Sequence, residues 1–264
     1  ALREVLRAAD LGRNLLDGPS PEAGVGNSDH IGVHEQRDGK FYIGLAPIVG
    51  RVNGGVITSL GDLVERYGAA GARLTSYQKV VVIGVDEEFV EPMVEELRQI
   101  GLEARPSNWR QSTMACTGIE FCKLAIVETK QRAIDLVAEL ERRFPDLDTP
   151  ITVNVNGCPN ACARTQVADI GLKGQLVLDE DGNQVEGFQV HLGGGIGLNP
   201  GLGKKLRDHN ITSRGLGDYV TNTLRNYLAE RTQAEPVALA RPRPGAPLRR
   251  GGPPPPGAAV ARVR

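Results

Sequence analysis

The stretch Thr113-Met114-Ala115-Cys116-Thr117-Gly118-Ile119-Glu120-Phe121-Cys122-Lys123 and the later Asn154-Val155-Asn156-Gly157-Cys158-Pro159-Asn160-Ala161-Cys162-Ala163 hold all four cysteines of the 264-residue chain. Five residues separate Cys116 from Cys122, three separate Cys158 from Cys162, and 35 lie between the pairs. Buried structural cysteines would be scattered over apolar faces, whereas these sit in turns containing glycine and proline. Disulfides belong to oxidising compartments. Four-cysteine zinc sites usually use two C-x2-C knuckles, and the chain has no C-x-x-C. Ligation of a soft metal by four thiolates is the better reading, and an iron-sulfur cube suits the wide spacing because each thiolate must reach a different iron.

Outward from the cysteines, the hydrophobic period predicts two α+β segments. In the second, the expected elements are a long helix from Phe121 to Arg143, with apolar Leu124, Ile126, Val127, Ile134, Leu136, Val137 and Leu140, and strands at Ile151–Val155, Val167–Leu172, Leu176–Leu178 and Gly187–His191. A last helix is expected from Thr212 to Glu230, capped by Thr212 or Ser213. Cys122 would then lie at a helix N-terminus, whose positive dipole end favours a negative cluster. The first segment reads as strands Ile31–Glu35 and Phe41–Ala46 about an Asp38-Gly39 turn, then a helix capped by Thr58 and ending at Gly68. Strands Arg73–Tyr77 and Lys79–Val85 follow, and then a helix opened by Asp86, whose first turns Pro92 could kink. The expected domains are 1–30, a remnant or linker; 31–105; 106–235; and 236–264.

That last stretch carries eight of 17 prolines, six arginines and no acidic residue, so it reads as a disordered tail. The whole chain has 31 Lys+Arg against 32 Asp+Glu, which excludes the chain-wide basic field of a nucleic-acid binder. The first thirty residues interleave Arg7, Asp10, Arg13 and Asp17 with leucines, a pattern of neither a signal peptide nor a membrane span, so a cytoplasmic chain is expected.

The two cysteine motifs closely resemble the siroheme and 4Fe-4S domain of the assimilatory nitrite and sulfite reductases. Arg73-Leu74-Thr75-Ser76-Tyr77-Gln78 is similar to the second ferredoxin-like half-domain of the same family, so the resemblance covers about 200 residues, from near Ile31 to near Gln233. It implies an α+β fold in which a ferredoxin-like half-domain precedes the cluster and siroheme domain. It further implies that Cys116, Cys122, Cys158 and Cys162 bind the 4Fe-4S cluster, that Cys162 also bridges to the siroheme iron, and that Gln78, Ala115 and Asn160 lie against the siroheme. From residue type alone, Asn160 serves equally as a turn-former and Gln78 as an exposed strand residue. The implied activity is six-electron reduction of a small anion with electrons from ferredoxin. Ile119, Glu120 and Lys123 look more like the sulfite reductases than the nitrite reductases, which stay the alternative, beside a non-catalytic electron-transfer module.

The resemblance also implies that the family's anion-binding Arg and Lys cluster lies in an N-terminal half outside this sequence, so no catalytic residue is assigned and completion by that half is expected. Arg110 and Arg164 read as surface or loop residues. Gly193-Gly194-Gly195-Ile196-Gly197 matches neither nucleotide-loop spacing, and His30, His34, His191 and His209 read as structural. Lys204, Lys205 and Arg207 read as a solvated helix face that could also meet an acidic ferredoxin.

Overall fold

The computed structural model describes residues 30–147, 149–196 and 201–230; the expected N-terminal remnant, the last residue of the glycine loop and the proline-arginine tail lie outside them. The first unit begins with strands β1 (Gly32–Glu35) and β2 (Phe41–Leu45), joined as the Asp38-Gly39 turn requires. Gly39 takes a φ of +79° there, a conformation that glycine reaches without steric cost. Helix α1 (Gly54–Arg66), β3 (Gly71–Leu74), β4 (Val80–Val85) and helix α2 (Val90–Gln99) complete an antiparallel sheet of order β1-β2-β4-β3 with two helices. Ile43, Leu45, Val80 and Val82 meet Leu60, Leu63, Met93 and Leu97 in its core.

The strand expected at Arg73–Tyr77 is Gly71–Leu74, and two helix starts also differ from expectation. Helix α1 starts four residues before Thr58, because Asn53 is the cap: its side chain accepts the Val56 N–H at 3.0 Å. Thr58 lies inside the helix and turns its hydroxyl back onto the Gly54 carbonyl. Asp86 opens only a 3-10 turn, Glu87–Phe89, and Pro92 falls in the first turn of α2, where its missing N–H costs nothing.

The second unit adds helix α3 (Asn108–Ser112), β5 (Thr113–Ala115), helix α4 (Lys130–Arg143), β6 (Val153–Asn156), β7 (Ile170–Leu178), β8 (Gln184–Leu192), β9 (Lys204–Thr212) and helix α5 (Leu216–Glu230). Its sheet runs β5-β6-β7-β8-β9, with β5, β6 and β7 parallel and the rest antiparallel. Val153, Val155, Ile170, Leu172, Phe188 and Val190 meet Leu136, Val137 and Leu140 of α4 and Val220 and Leu224 of α5. The expected helix from Phe121 is cut to its last fourteen residues: 121–129 is irregular chain, with Phe121 and Leu124 exposed, so their apolar spacing does not line a core. The strands expected at 167–172 and 176–178 are one strand, and the final helix starts at Leu216 because Thr212 ends β9. Lys204, Lys205 and Arg207 lie on strand β9 and not on a helix.

The two units share a boundary. Val49, which follows β2, is fully buried in the second core, and Trp109 fills the same core with its indole N–H donated to the Phe144 carbonyl at 3.2 Å. Among the described residues no helix is long and apolar enough to cross a membrane.

Candidate functional site

β5 and β6 are adjacent and parallel, so their C-terminal ends, and the chain that leaves them, emerge side by side. Cys116 follows β5 directly, and Cys158 follows β6 after Gly157. The chain thus delivers the first cysteine of each pair to one edge of the sheet, where open parallel sheets place their ligands. The Cys116 N–H continues the ladder onto the Val155 carbonyl at 2.9 Å, and the Gly157 N–H points at the Cys116 Sγ at 3.1 Å. Ile126 sends its N–H to the Gly157 carbonyl at 2.8 Å, which draws the segment after Cys122 onto the same glycine. Gly157 cannot carry a side chain without crowding, since a Cβ would stand 3.1 Å from both the Ala125 Cβ and the Val127 carbonyl.

All four thiols are free, with Cys158 buried, Cys116 and Cys122 half-buried, and Cys162 exposed. The loop from Cys158 to Cys162 is braced from below. Asn156, on β6, accepts the buried Ala163 N–H at 2.6 Å, and Asn154 donates to the Arg164 carbonyl at 3.1 Å. Ala161 and Arg164 both take positive φ, 54° and 58°, which turns the chain tightly about Cys162. The Asn156 Nδ2 is buried without a partner, an orphaned donor beneath that loop. Among the described residues no three His, Cys, Asp or Glu side chains converge on one ion position. Two facing loops that carry two thiols each, with an N–H aimed at sulfur, fit a polynuclear cluster whose thiolates bind different irons.

Gln78 and Ala115, 37 residues apart, are in contact. The Gln78 side-chain amide donates to the Ala115 carbonyl at 2.6 Å and accepts its N–H at 3.3 Å, a two-point clasp on the residue before Cys116. Gln78 belongs to the turn between β3 and β4 with a φ of 62°, and is not an exposed strand residue. Asn160 is exposed in the second loop.

Three residues that the sequence did not single out complete the geometry. Lys130, the first residue of α4, donates to the carbonyls of Val49 at 2.5 Å and Ala115 at 2.9 Å; burial pushes its pKa down, with the neighbouring Cys116 acting in the opposite direction. Thr129 donates its hydroxyl to the Cys116 carbonyl at 2.7 Å. Asn156 carried one signal, a polar residue at each alternate position of Asn154-Val155-Asn156, all of them buried. Arg164 is more than a loop residue: it donates to the Ser76 carbonyl and lies 4.5 Å over the Tyr77 ring, tying the second cysteine loop to the β3–β4 turn. Arg110 approaches Glu141 at 3.9 Å. Of the histidines, His209 pairs with the Tyr219 hydroxyl at 2.9 Å, while His191 is buried with an unpartnered Nδ1, and burial holds its pKa down.

Comparison with known proteins agrees with this layout. The family model described as "Nitrite/Sulfite reductase ferredoxin-like half domain" matches residues 34–100, and that described as "Nitrite and sulphite reductase 4Fe-4S domain" matches residues 108–237. The sulfite reductase [ferredoxin] of Mycobacterium tuberculosis is 50% identical over 240 residues, 89% of this chain and 43% of its own. The chloroplastic ferredoxin–nitrite reductase of Zea mays is 38% identical over 185 residues, 68% of this chain and 32% of its own. The solved structure of Mycobacterium tuberculosis NirA superposes with a TM-score of 0.81 at 50% identity, covering 90% of this chain and 44% of that one. The chain therefore spans less than half the length of the relatives it matches.

Proposed function

The chain belongs to the nitrite and sulfite reductase family, and from that premise we propose that it is the C-terminal part of a ferredoxin-dependent sulfite reductase. The observation that carries the reading is the pair of cysteine loops at the ends of β5 and β6, closed on each other by the Gly157 N–H at the Cys116 sulfur. On this reading residues 31–105 and 106–235 are its ferredoxin-like and cluster-binding units. Cys116, Cys122, Cys158 and Cys162 would hold a 4Fe-4S cluster, and the exposed Cys162 would also serve as the thiolate shared with a siroheme. The bound groups supply electron storage and the iron at which the anion is reduced.

The rest of the chain holds and orients. Gln78 fixes Ala115, so the backbone before Cys116 presents a constant wall to the siroheme, and Asn160 lines the second loop beside Cys162. Asn156 and Asn154 keep that loop shut, and Arg164 anchors it to the first unit. Ferredoxin donates the electrons, and sulfite takes six of them with six protons to become sulfide, its three oxygens leaving as water; the greater identity to a sulfite reductase than to the nitrite reductases supports sulfite as the anion. The groups that hold the anion come from the portion of the relatives that this chain does not span.

The test is anaerobic purification from cells that overproduce siroheme, with iron and acid-labile sulfide analysis and an absorption spectrum. Iron and sulfide in cubane ratio with a Soret band are expected, and Cys→Ser at any of the four positions lowers the cluster content. Zinc in place of iron, or four replaceable cysteines, refutes the reading.

A further inference from the structure

Lys130 is placed where a cation is ordinarily disfavoured. It is the first residue of α4, at the positive end of the helix dipole, and its ammonium turns inward and away from water. Three oxygens receive it: the carbonyls of Val49 at 2.5 Å and Ala115 at 2.9 Å, and the Gln78 Oε1 at 3.4 Å. Three acceptors call for three N–H groups, which a protonated amine has and a neutral one does not. None of the three is a carboxylate. Glu128, the nearest acid in sequence, is committed elsewhere: its two carboxylate oxygens accept the backbone N–H groups of Gln131 at 3.1 Å and Arg132 at 2.9 Å, capping α4. Thr129, the residue at the cap position, gives its hydroxyl to the Cys116 carbonyl instead of to the helix.

The result is a half-buried positive charge, without an ion-pair partner among the described residues, fastened to the backbone that bears Cys116. A partly desolvated charge is costly unless an opposite charge faces it. The thiol of Cys116 is free and already receives the Gly157 N–H, so the negative partner that the geometry provides for is the group held by the thiolates. Resting on the cluster reading above, we infer that Lys130 is a positioning residue whose fixed charge offsets the negative charge of the cluster and so raises its reduction potential. The cluster gains one negative charge with each electron it accepts, so a nearby cation stabilises the reduced form more than the oxidised one. At an effective dielectric constant of about 20, a unit charge roughly 10 Å away shifts such an equilibrium by at least about tenfold.

The test is a mediated titration of the cluster-loaded chain, electrons supplied by dithionite and the reduced cluster followed by electron paramagnetic resonance, with iron and sulfide content measured on every sample. Lys130→Gln keeps an N–H donor for the Ala115 carbonyl and deletes the charge; Lys130→Arg keeps the charge. The Gln variant is expected to shift the midpoint negative by about tenfold in the reduced-to-oxidised ratio, about 59 mV for one electron, and the Arg variant to stay within about twofold of the parent. If the Gln variant fails to take up the cluster while the Arg variant loads normally, the charge role is again supported. A fully loaded Gln variant with the parent's potential overturns the inference, and so does failure of both variants to load, which would mark Lys130 as merely structural. If the parent chain itself binds no iron-sulfur cluster, the cluster reading fails first and this inference falls with it.

Discussion

Replacing Gly174 with alanine should damage the candidate site from behind. Gly174 lies in the middle of β7, and a Cβ built on it would stand 2.5 Å from the Val127 Cγ2 and 2.7 Å from both the carbonyl carbon and oxygen of Gly157. Neither neighbour can retreat cheaply. Val127 is fully buried, and Gly157 is held by its N–H at the Cys116 sulfur and by the Ile126 N–H on its carbonyl. Forcing one methyl into a packed core costs about 1–3 kcal/mol. Losing a glycine from the unfolded ensemble returns about 0.4–1 kcal/mol, so the net destabilisation lies between about 0 and about 2.6 kcal/mol, toward the upper end here because the added methyl would meet backbone and a buried side chain. Urea unfolding of the reduced, metal-free chain measures it, and iron and sulfide content after reconstitution measures how far Gly157 has been displaced. Gly54→Ala is the control, because its Cβ would meet nothing within 4 Å and it opens α1; it should leave stability equal or raised by a few tenths of a kcal/mol. A Gly174→Ala chain with parental stability and parental iron content would refute the close packing of β7 against the cysteine loop.

Other consequences are as direct. Asn53→Ala should cost about 1 kcal/mol in urea unfolding, as removal of a helix cap does, while Thr58→Ala should cost much less, a difference that tests where α1 begins. Burial pushes the Tyr219 phenol up to about 12 from its ordinary 10.0. The folded state then holds a proton that the unfolded state has released, so stability falls as pH rises from 10 to 12; Tyr219→Phe should flatten that fall, and absorbance at alkaline pH should show one late-titrating tyrosine. Arg164→Gln should cost about 1 kcal/mol, the scale of an exposed cation–π contact with a hydrogen bond, and should raise hydrogen exchange at Ser76 and in the Cys162 loop together. Exchange rising in only one of them would show that Arg164 does not couple the two units.

Much of this architecture is written in local chemistry. The β1–β2 hairpin follows from Asp38-Gly39, and β4 follows from the β-branched run Val80-Val81-Val82-Ile83, because turns and strand runs are set by neighbours in sequence. Strand β9 was hidden: Lys204, Lys205 and Arg207 have no strand signature, and their placement comes from pairing with β8. Short β5 was hidden too, since three residues carry no strand period and its strand partner is the distant β6. At the site, the cysteines stood out by spacing, but Gln78 and Ala115 were singled out only by resemblance and their contact with each other not at all, because it spans the boundary between the two units. Lys130 and Arg164 were illegible for a plainer reason. A lone basic residue is ordinarily solvated, and only tertiary structure shows that one faces carbonyl oxygens and the other an aromatic ring.

The largest misreading, a helix continuing back to Phe121, has a physical cause that bears on the site itself. Leu124, Ile126 and Val127 recur at helical spacing, yet only Val127 is buried; Ile119, Phe121, Leu124 and Ile126 are 50%, 77%, 67% and 37% exposed. A helix over this stretch would send each backbone N–H to the carbonyl four residues before it. Here the Cys122 N–H still closes one such turn, onto the Gly118 carbonyl at 3.0 Å, but the Ile126 N–H crosses to Gly157 at 2.8 Å. The Ile126 N–H cannot both close a helical turn onto the Cys122 carbonyl and cross to Gly157, and the crossing is what brings the loop of Cys122 against the loop of Cys158. Gly118, with a φ of 76° and Thr129 so close that a Cβ would stand 2.5 Å from its hydroxyl, marks where the chain leaves the β5 ladder to make that crossing. Local propensity is overridden where the segment after Cys122 crosses to Gly157, and the irregular chain between Cys116 and Thr129 is the structural cost of drawing that segment against the loop of Cys158.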